Sequence, residues 1–264
     1  MPTDQQYSAL AARFALLRVS WLPLLVLALF VFCSSAYAQK IVDFSDPSKA
    51  CLTFKKGLSL GAPLPRVKAK LQTGQILTVV ALGSSSTTGF GTFGPNDAFP
   101  QVMKQELLRL RPSARIEATI SARIMENIPD NIARLDEILR QKPDLVVWQL
   151  GTNDVVWRGI PNNTKEVISG AVKRLKAAQS DIVLVDLQYA PLVNATSRHI
   201  QMEQIIADVA REQNVGLFPR FLLMKRAIEA GVGGLIWWDG LHNSAEGHKC
   251  IGLALAQMID AATR

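Results

Sequence analysis

The sequence predicts one α/β domain in which helices cover both faces of a parallel sheet. From residue 75 to the C-terminus, short apolar runs that suit buried strands alternate with longer stretches of helical spacing. Three short polar motifs follow such runs or precede the last helical stretch. The chain has 264 residues, of which 48% are hydrophobic, and this is sufficient for one well-buried core.

The predicted strands and helices follow one another in order along the chain. Residues 76–82 form an apolar run closed by Gly83, which is typical of a strand buried on both faces. The next segment, residues 99–110, has helical spacing and ends before Pro112. Further strands are predicted over residues 115–120, 144–150, 181–188 and 215–218. Further helices are predicted over residues 128–140, 164–178, 196–212, 221–230 and 244–262.

The first 38 residues are predicted to be a secretory signal peptide. Arg13 and Arg18 precede an apolar run over residues 21–33, and an Ala-x-Ala site ending at Ala38 follows. Cleavage there would leave Gln39 as the N-terminus of a periplasmic or secreted protein. The alternative is a retained membrane anchor, although the apolar run is shorter than the roughly 20 residues of a membrane-spanning helix.

The segment between the predicted signal peptide and the main domain contains the first of two cysteines that would remain after cleavage. Residues 39–75 show little periodicity and are predicted to be an extended arm with a short strand over residues 50–54, followed by the main domain over residues 76–264. Cys51 and Cys250 would be the cysteines of the mature chain. In an exported protein they are candidates for one disulfide, and two separate buried thiols are the alternative.

Charge and composition exclude several kinds of partner. The formal net charge is +7, and it falls to +6 when residues 1–38, which carry Arg13, Arg18 and Asp4, are removed. The basic residues are scattered and form no dense tract, so we expect no nucleic-acid partner. We also expect a monomer, no stable membrane span after cleavage, and no metal or organic cofactor, since no cluster of metal ligands stands out.

The first motif, Gly83-Ser84-Ser85-Ser86, follows the first predicted strand. We take Ser85 as the candidate nucleophile because a hydroxyl at a tight strand-to-helix turn can attack a carbonyl when a base lies nearby. Its backbone N–H can also face the oxyanion that then develops. Taken alone, the motif is better explained as a loop rich in hydroxyl groups and without chemistry.

The second and third motifs supply an amide and an acid–base pair. Gly151-Thr152-Asn153-Asp154 follows a strong predicted strand, and the Asn153 side chain can donate to an oxyanion or serve a local turn. Asp239-Gly240-Leu241-His242 precedes the last predicted helix, so that Asp239 can orient His242 as a base. Because ligands bind beyond the carboxyl ends of strands in such sheets, the three motifs can converge there.

Together the three motifs resemble those of the SGNH (GDSL-type) hydrolase family, and the resemblance extends over about residues 76–258. It implies a three-layer, flavodoxin-like α/β/α sandwich and hydrolysis of esters or thioesters. It also implies that Ser85 is the nucleophile, that Asp239 and His242 complete the triad, and that Asn153 and the Ser85 N–H belong to the oxyanion hole.

Two positions depart from the family pattern. Ser84 stands where the family has Asp, which is not the triad acid, so this change leaves the chemistry possible. The family's second block carries a Gly whose N–H completes the oxyanion hole, whereas here Ala122 is the best positional match and Met125 is the alternative. A backbone donor needs no particular side chain unless its φ must be positive.

These observations predict an exported serine esterase that hydrolyses small acyl esters, on a carbohydrate or a lipid, through an acyl-enzyme. The alternatives are a non-catalytic glycan-binding domain on the same fold and an acyltransferase that uses the same triad with a sugar hydroxyl in place of water. Trp157 and Arg158 follow the second motif and are the candidate substrate contacts.

Overall fold

A five-stranded parallel sheet forms the centre of the protein. The structure, a computed structural model, describes residues 45–264. The strands are β1 (Ile76–Gly83), β2 (Arg115–Ala122), β3 (Leu145–Gln149), β4 (Asp181–Val185) and β5 (Gly216–Phe218). They lie in the order β2-β1-β3-β4-β5 and all pairs are parallel. The predicted α/β fold class is therefore confirmed, and each predicted strand from residue 76 onward is present.

The helices account for most of the remaining described chain. They are α1 (Pro47–Thr53), α2 (Pro65–Thr73), α3 (Ser85–Thr88), α4 (Phe99–Leu110), α5 (Ile128–Ala133), α6 (Leu135–Arg140), α7 (Thr164–Ala177), α8 (Pro191–Asn194), α9 (Arg198–Gln213), α10 (Arg220–Glu229) and α11 (Ala245–Ala262). Two further turns are a 3₁₀ turn, Pro95–Asp97, and a π-helical turn, Asp154–Arg158. No helix within residues 45–264 is long and apolar enough to span a bilayer.

Alternate residues of the strands face two separate cores. Val79 and Val147 belong to a core that includes residues of α1, α4, α10 and α11. Val80 and Val146 point the other way, into a core formed with residues of α5, α6, α7 and α9. Because both faces are covered, the strands read in the sequence as continuous apolar runs rather than as alternating ones.

The N-terminal arm differs from the prediction. The strand expected over residues 50–54 is wrong, because this segment lies in α1 and at its end. Asp46 accepts hydrogen bonds from the N–H groups of Ser48 and Lys49, and Pro47 occupies the first turn, so the segment carries a helix-start signal. The part of the arm after residue 44 is therefore two helices rather than an extended segment. The predicted signal peptide lies outside the described residues.

Helix α1 is joined to the last helix by a disulfide. Cys51 and Cys250 are bonded, with their Cα atoms 6.0 Å apart, and both side chains are buried. The single helix expected over residues 128–140 is instead two helices that meet at Arg134, whose φ and ψ of −97° and 3° leave the helical region. The side chain of Arg134 bonds to Ser121 and Glu126, which draws this residue towards the sheet edge.

Candidate active site

The three motifs lie at one edge of the sheet, where the strand order changes direction. The chain passes from β1 to β2 on one side and then to β3 on the other, so a crevice opens beyond the carboxyl ends of β1 and β3. Ser85 follows β1 and Asn153 follows β3, while Asp239 and His242 lie in the loop that leads into α11.

A buried glutamine at the end of β3 holds the turn that carries Ser85. The Gln149 side-chain oxygen accepts from the Ser84 N–H at 3.1 Å, the Ser84 hydroxyl at 3.2 Å and the Thr87 hydroxyl at 3.1 Å. Gly83 allows this close approach, since a Cβ there would lie 2.1 Å from the Thr87 hydroxyl oxygen. The position of Ser85 at the start of α3 is thus set from β3 as well as from its own strand.

Ser85, His242 and Asp239 form one continuous hydrogen-bonded chain. His242 Nε2 lies 2.9 Å from Ser85 Oγ, and His242 Nδ1 lies 2.5 Å from Asp239 Oδ2. The other carboxylate oxygen of Asp239 accepts from the N–H groups of Leu241 and His242, each at 2.9 Å. Burial opposes the charged form of Asp239, but these hydrogen bonds outweigh it and keep the pKa of the carboxyl below its ordinary value.

Two residues outside the predicted set hold the His242 ring. The Phe90 ring lies against it, with centroids 4.3 Å apart. The backbone of Phe90 is fixed in turn by His248, whose Nε2 lies 3.1 Å from the Phe90 carbonyl while its Nδ1 accepts from the Phe99 N–H at 3.2 Å. Burial lowers the pKa of His248 to about 4, so this residue of α11 is a neutral structural group.

The Asn153 side chain is oriented by a carbonyl group of the loop after β2. Its Nδ2 donates to the Glu126 backbone oxygen at 2.7 Å. An amide NH₂ has two hydrogens, and within residues 45–264 the second makes no further hydrogen bond. The Glu126 carboxylate is itself bound by Asn131 and Arg134, which fixes this loop against the sheet edge.

The carboxyl of Asp154 binds the backbone at the start of α5, directly after the loop that contains Glu126. Both of its oxygens lie 3.3 Å from the Ile128 N–H, at the start of α5. Burial raises the pKa of Asp154 to about 6, although the hydrogen bond from Ile128 opposes this shift. Asp154 also begins the π-helical turn, a form that often occurs at functional sites.

The two candidates for the missing second-block glycine have different environments. Ala122 ends β2 and pairs with Gly83 in the sheet. Met125 lies in the following loop with a φ of 67°, a left-handed conformation that favours glycine. Met125 directly precedes Glu126, whose carbonyl contacts Asn153. The structure therefore places Met125, rather than Ala122, next to the segment that touches the Asn153 amide.

A second buried glutamine joins the Asn153 loop to the loop of the acid–base pair. Gln188 is fully buried, and its side-chain oxygen accepts from the Thr152 hydroxyl at 2.9 Å. Its Nε2 donates to the Leu241 carbonyl at 3.1 Å. Gln149 and Gln188 were both missed by the sequence reasoning. The available signal was a polar residue at the end of each of two otherwise apolar strand runs.

The candidate substrate contacts are partly exposed. Trp157 and Arg158 lie in the π-helical turn after Asn153, and the Trp157 side chain is about half exposed. Trp238 is also exposed and its ring lies 5.0 Å from that of Trp237, which in turn contacts Phe90. Among residues 45–264, no group of three or more His, Cys, Asp or Glu side chains could hold a metal ion.

His199, the remaining histidine, lies apart from the triad. Its Nδ1 is 2.8 Å from a carboxylate oxygen of Glu203, one helical turn later in α9. This i,i+4 spacing was visible in the sequence. The Ser85–His242 contact leaves His199 without a part in the candidate site.

Comparisons with known proteins show similarity to lipase-like proteins and esterases. A sequence profile described as the non-GDSL lipase-like family matches residues 50–264. Esterase TesA of Pseudomonas aeruginosa is 29% identical over 113 residues, which cover 42% of this chain and 53% of TesA. The match thus spans about half the length of that relative.

Solved structures of esterases share the fold at low sequence identity. A TesA structure has a TM-score of 0.60 at 19% identity and covers 70% of this chain and 99% of its own. A two-domain esterase active on acetylated mannans, co-crystallised with mannopentaose, has a TM-score of 0.68 at 18% identity, covering 80% and 57%. An acetyl xylan esterase from Geobacillus stearothermophilus has a TM-score of 0.60 at 18% identity, covering 69% and 94%. At these identities the likeness establishes the α/β fold of SGNH-type hydrolases.

Proposed function

The chain belongs to the non-GDSL lipase-like family, a family of SGNH-type ester hydrolases, and on that premise we propose that it is an exported serine esterase acting on small acyl esters. The observation that carries the proposal is the hydrogen-bonded chain from Ser85 through His242 to Asp239. An acetyl group on a carbohydrate is the preferred substrate, as in the structural neighbours active on acetylated mannans and xylan.

The first half of the reaction is acylation of Ser85. His242 Nε2 takes the Ser85 proton as the hydroxyl oxygen attacks the ester carbonyl carbon, and Asp239 stabilises the imidazolium that results. The carbonyl oxygen becomes an oxyanion, to which the Ser85 N–H and the second Asn153 N–H would donate. His242 then passes the proton to the leaving alcohol oxygen, the ester C–O bond breaks, and the acyl group remains on Ser85.

The second half repeats these steps with water. His242 takes a proton from water, the hydroxide oxygen attacks the acyl carbon, and Ser85 leaves with the proton that His242 returns. A third oxyanion donor is the Met125 N–H, next to the Asn153-bound carbonyl of Glu126, with the Ala122 N–H as the alternative. The half-exposed Trp157 and the neighbouring Arg158 would contact the substrate at the crevice mouth.

Export is part of the proposal. The predicted signal peptide and the Cys51–Cys250 disulfide support it, since disulfides persist mainly in oxidising compartments. Intact-mass measurement of the protein purified from its natural cell envelope or medium should give Gln39 as the first residue. A chain that begins at Met1 would contradict cleavage.

The decisive experiment is an esterase assay with matched serine variants. We expect hydrolysis of p-nitrophenyl acetate and butyrate, and a loss of kcat of about 10⁴-fold or more in Ser85→Ala. Ser86→Ala is the control, since Ser86 is the adjacent buried serine and is not part of the Ser85–His242–Asp239 chain. A fluorophosphonate should label the parent and Ser86→Ala but not Ser85→Ala. Equal activity of the parent and Ser85→Ala would defeat the proposal.

A further inference from the structure

The turn after β2 contains a methionine in a backbone conformation that glycine usually adopts. The Glu126 N–H donates to the Arg123 carbonyl at 3.4 Å, which closes a turn with Met125 as its third residue. Met125 has a φ of 67°, and a positive φ at this position of a turn favours glycine because a Cβ crowds the backbone there. A residue with a side chain keeps such a conformation only where its surroundings hold it.

The residue after Met125 is held by a group of three side chains, which we call the Glu126 cluster: Glu126, Asn131 and Arg134. One carboxylate oxygen of Glu126 accepts from Asn131 Nδ2 at 3.1 Å and from the Arg134 guanidinium. Arg134 also donates to the Ser121 hydroxyl at 2.7 Å, near the end of β2. The side chains of Glu126 and Arg134 are only 10% and 11% exposed, so salt and solvent screen this ion pair weakly.

Asn131 connects the Glu126 cluster to the two neighbouring strands that lead into the site. Its Nδ2 also donates to the Gly83 carbonyl at 3.2 Å, at the end of β1. Its Oδ1 accepts from Trp148 Nε1 at 3.0 Å, in β3. Because Asn131 is itself buried, the Glu126 carboxylate has a fixed position relative to the ends of both strands.

Glu126 also contacts the candidate oxyanion amide through its backbone. Its carbonyl accepts from Asn153 Nδ2 at 2.7 Å. The φ of Met125 describes the rotation of the peptide group that carries the Met125 N–H relative to the chain that follows, so a fixed Glu126 and a fixed φ together set the direction of that N–H. A shift of Glu126 would therefore displace two of the oxyanion donors of the proposed reaction at once.

We propose that Glu126 is a positioning residue: its carboxylate, held by Asn131 and Arg134, keeps Met125 in the left-handed conformation and thereby holds the oxyanion donors in place. The inference rests on the proposed esterase function, with Met125 rather than Ala122 as the third donor. In this role Glu126 touches no substrate and acts through the backbone of the turn. A methionine can then occupy the position of the second-block glycine, since the Glu126 cluster offsets the preference of that conformation for glycine.

The test combines a substitution in the Glu126 cluster with one that removes the need for it. Glu126→Gln keeps the shape of the side chain but leaves the Arg134 cation without its counter-charge, so the cluster should loosen. We expect kcat for p-nitrophenyl acetate to fall by about 10²-fold, the cost of losing one oxyanion donor, with little change in KM. Glycine adopts a positive φ freely, so Met125→Gly alone should change kcat little, and the double variant Glu126→Gln/Met125→Gly should regain most of the lost kcat.

Two further variants complete the set. The matched control is Glu117→Gln, which removes an exposed carboxylate on β2 and should leave kcat and KM unchanged. Arg134→Lys keeps the positive charge but loses one of the two nitrogens that bind Ser121 and Glu126, so it should cause a smaller loss of kcat that Met125→Gly again restores. It is the deciding variant if Glu126→Gln does not fold. All rates are expressed per active site titrated with a fluorophosphonate, which separates a lower kcat from a smaller folded fraction.

The outcomes separate this inference from the proposed function. A parent that hydrolyses no ester would overturn both. With an active parent, an unchanged kcat per titrated site in Glu126→Gln, or a loss of kcat that Met125→Gly does not restore, would overturn the positioning role and leave the esterase standing. A purely structural role would lower Tm in Glu126→Gln without a loss of kcat that Met125→Gly reverses.

Discussion

The Cys51–Cys250 disulfide should contribute a large part of the stability of this protein. It links residues separated by 199 positions and so closes almost the whole described chain into one loop. In the chain-entropy description, a bridge around about 200 residues lowers the entropy of the unfolded chain by roughly 18 cal/mol/K, or about 5 kcal/mol at 25 °C. Native bridges typically contribute about 2–4 kcal/mol, so we expect a loss within about 2–5 kcal/mol when the bond is removed.

The magnitude converts directly into a melting temperature. For a domain of this size each kcal/mol shifts Tm by roughly 2–4 °C, so loss of the bond should lower Tm by at least about 4 °C. The shift is measured by circular dichroism on the protein with the bond intact, after reduction and refolding, and in Cys51→Ala/Cys250→Ala. Disulfide mapping by peptide mass spectrometry verifies the intact bond.

The double variant is also the control for the reductant, which should leave its Tm unchanged. The reduced parent and the double variant should melt close together and below the oxidised parent. Equal melting temperatures for the oxidised parent and the double variant would refute the reasoning, because the mapped bond would then not stabilise the fold.

Three further predictions concern the groups around the triad. Gln188→Ala leaves the Thr152 hydroxyl and the Leu241 carbonyl unpaired, so the free energy of unfolding should fall by about 2–4 kcal/mol in a denaturation experiment. In steady-state kinetics, kcat should fall with little change in KM. Gly91→Ala would put a side chain on a residue with a φ of 94° and place its Cβ 2.3 Å from the Asn243 carbonyl oxygen, so it should lower both stability and kcat. Gly233→Ala is the control, because a Cβ there meets open space and should change neither. Equal effects of the two substitutions would contradict this prediction. Folded His248 has a pKa of about 4, whereas in the unfolded chain it takes up a proton near pH 6.5, so stability should fall as the pH drops from 6.5 to 4. His248→Gln should lack this contribution, and its denaturation midpoint should therefore depend less on pH over that range. An identical pH dependence of the parent and the variant would contradict the prediction.

Much of the fold could be predicted because its signals are local. The helix at Phe99–Leu110 has the predicted bounds, and the central strands lie within a few residues of theirs because apolar runs mark them directly. The N-terminal helices were missed although Asp46 and Pro47 form a recognisable start signal. The prediction of an extended arm relied on the lack of hydrophobic periodicity in this short segment and not on its helix-capping residues.

The site was predicted in part for a related reason. The motifs named Ser85, Asn153 and His242, and the parallel sheet explains why they meet at one edge. Gln149 and Gln188 could not be paired with their partners, because their hydrogen bonds join segments far apart in sequence. Such pairings depend on which strands are neighbours, and the order of strands is not written in any single segment.

The hydrogen bond from Ser84 to Gln149 fixes the nucleophile turn to the sheet, whereas the acid–base pair is held by other contacts. The turn that carries Ser85 is hydrogen-bonded to Gln149 of β3, and Asn153 follows the same strand. Because β3 is the most deeply buried strand, the atoms that would bind the ester carbonyl keep a fixed separation. The acid–base pair belongs to another loop, and Gln188, in the chain after β4, links that loop through the Leu241 carbonyl to Thr152 in the Asn153 loop. Substitutions that weaken the bond from Gln188 to the Leu241 carbonyl should therefore disturb proton transfer before they disturb the recognition of the carbonyl.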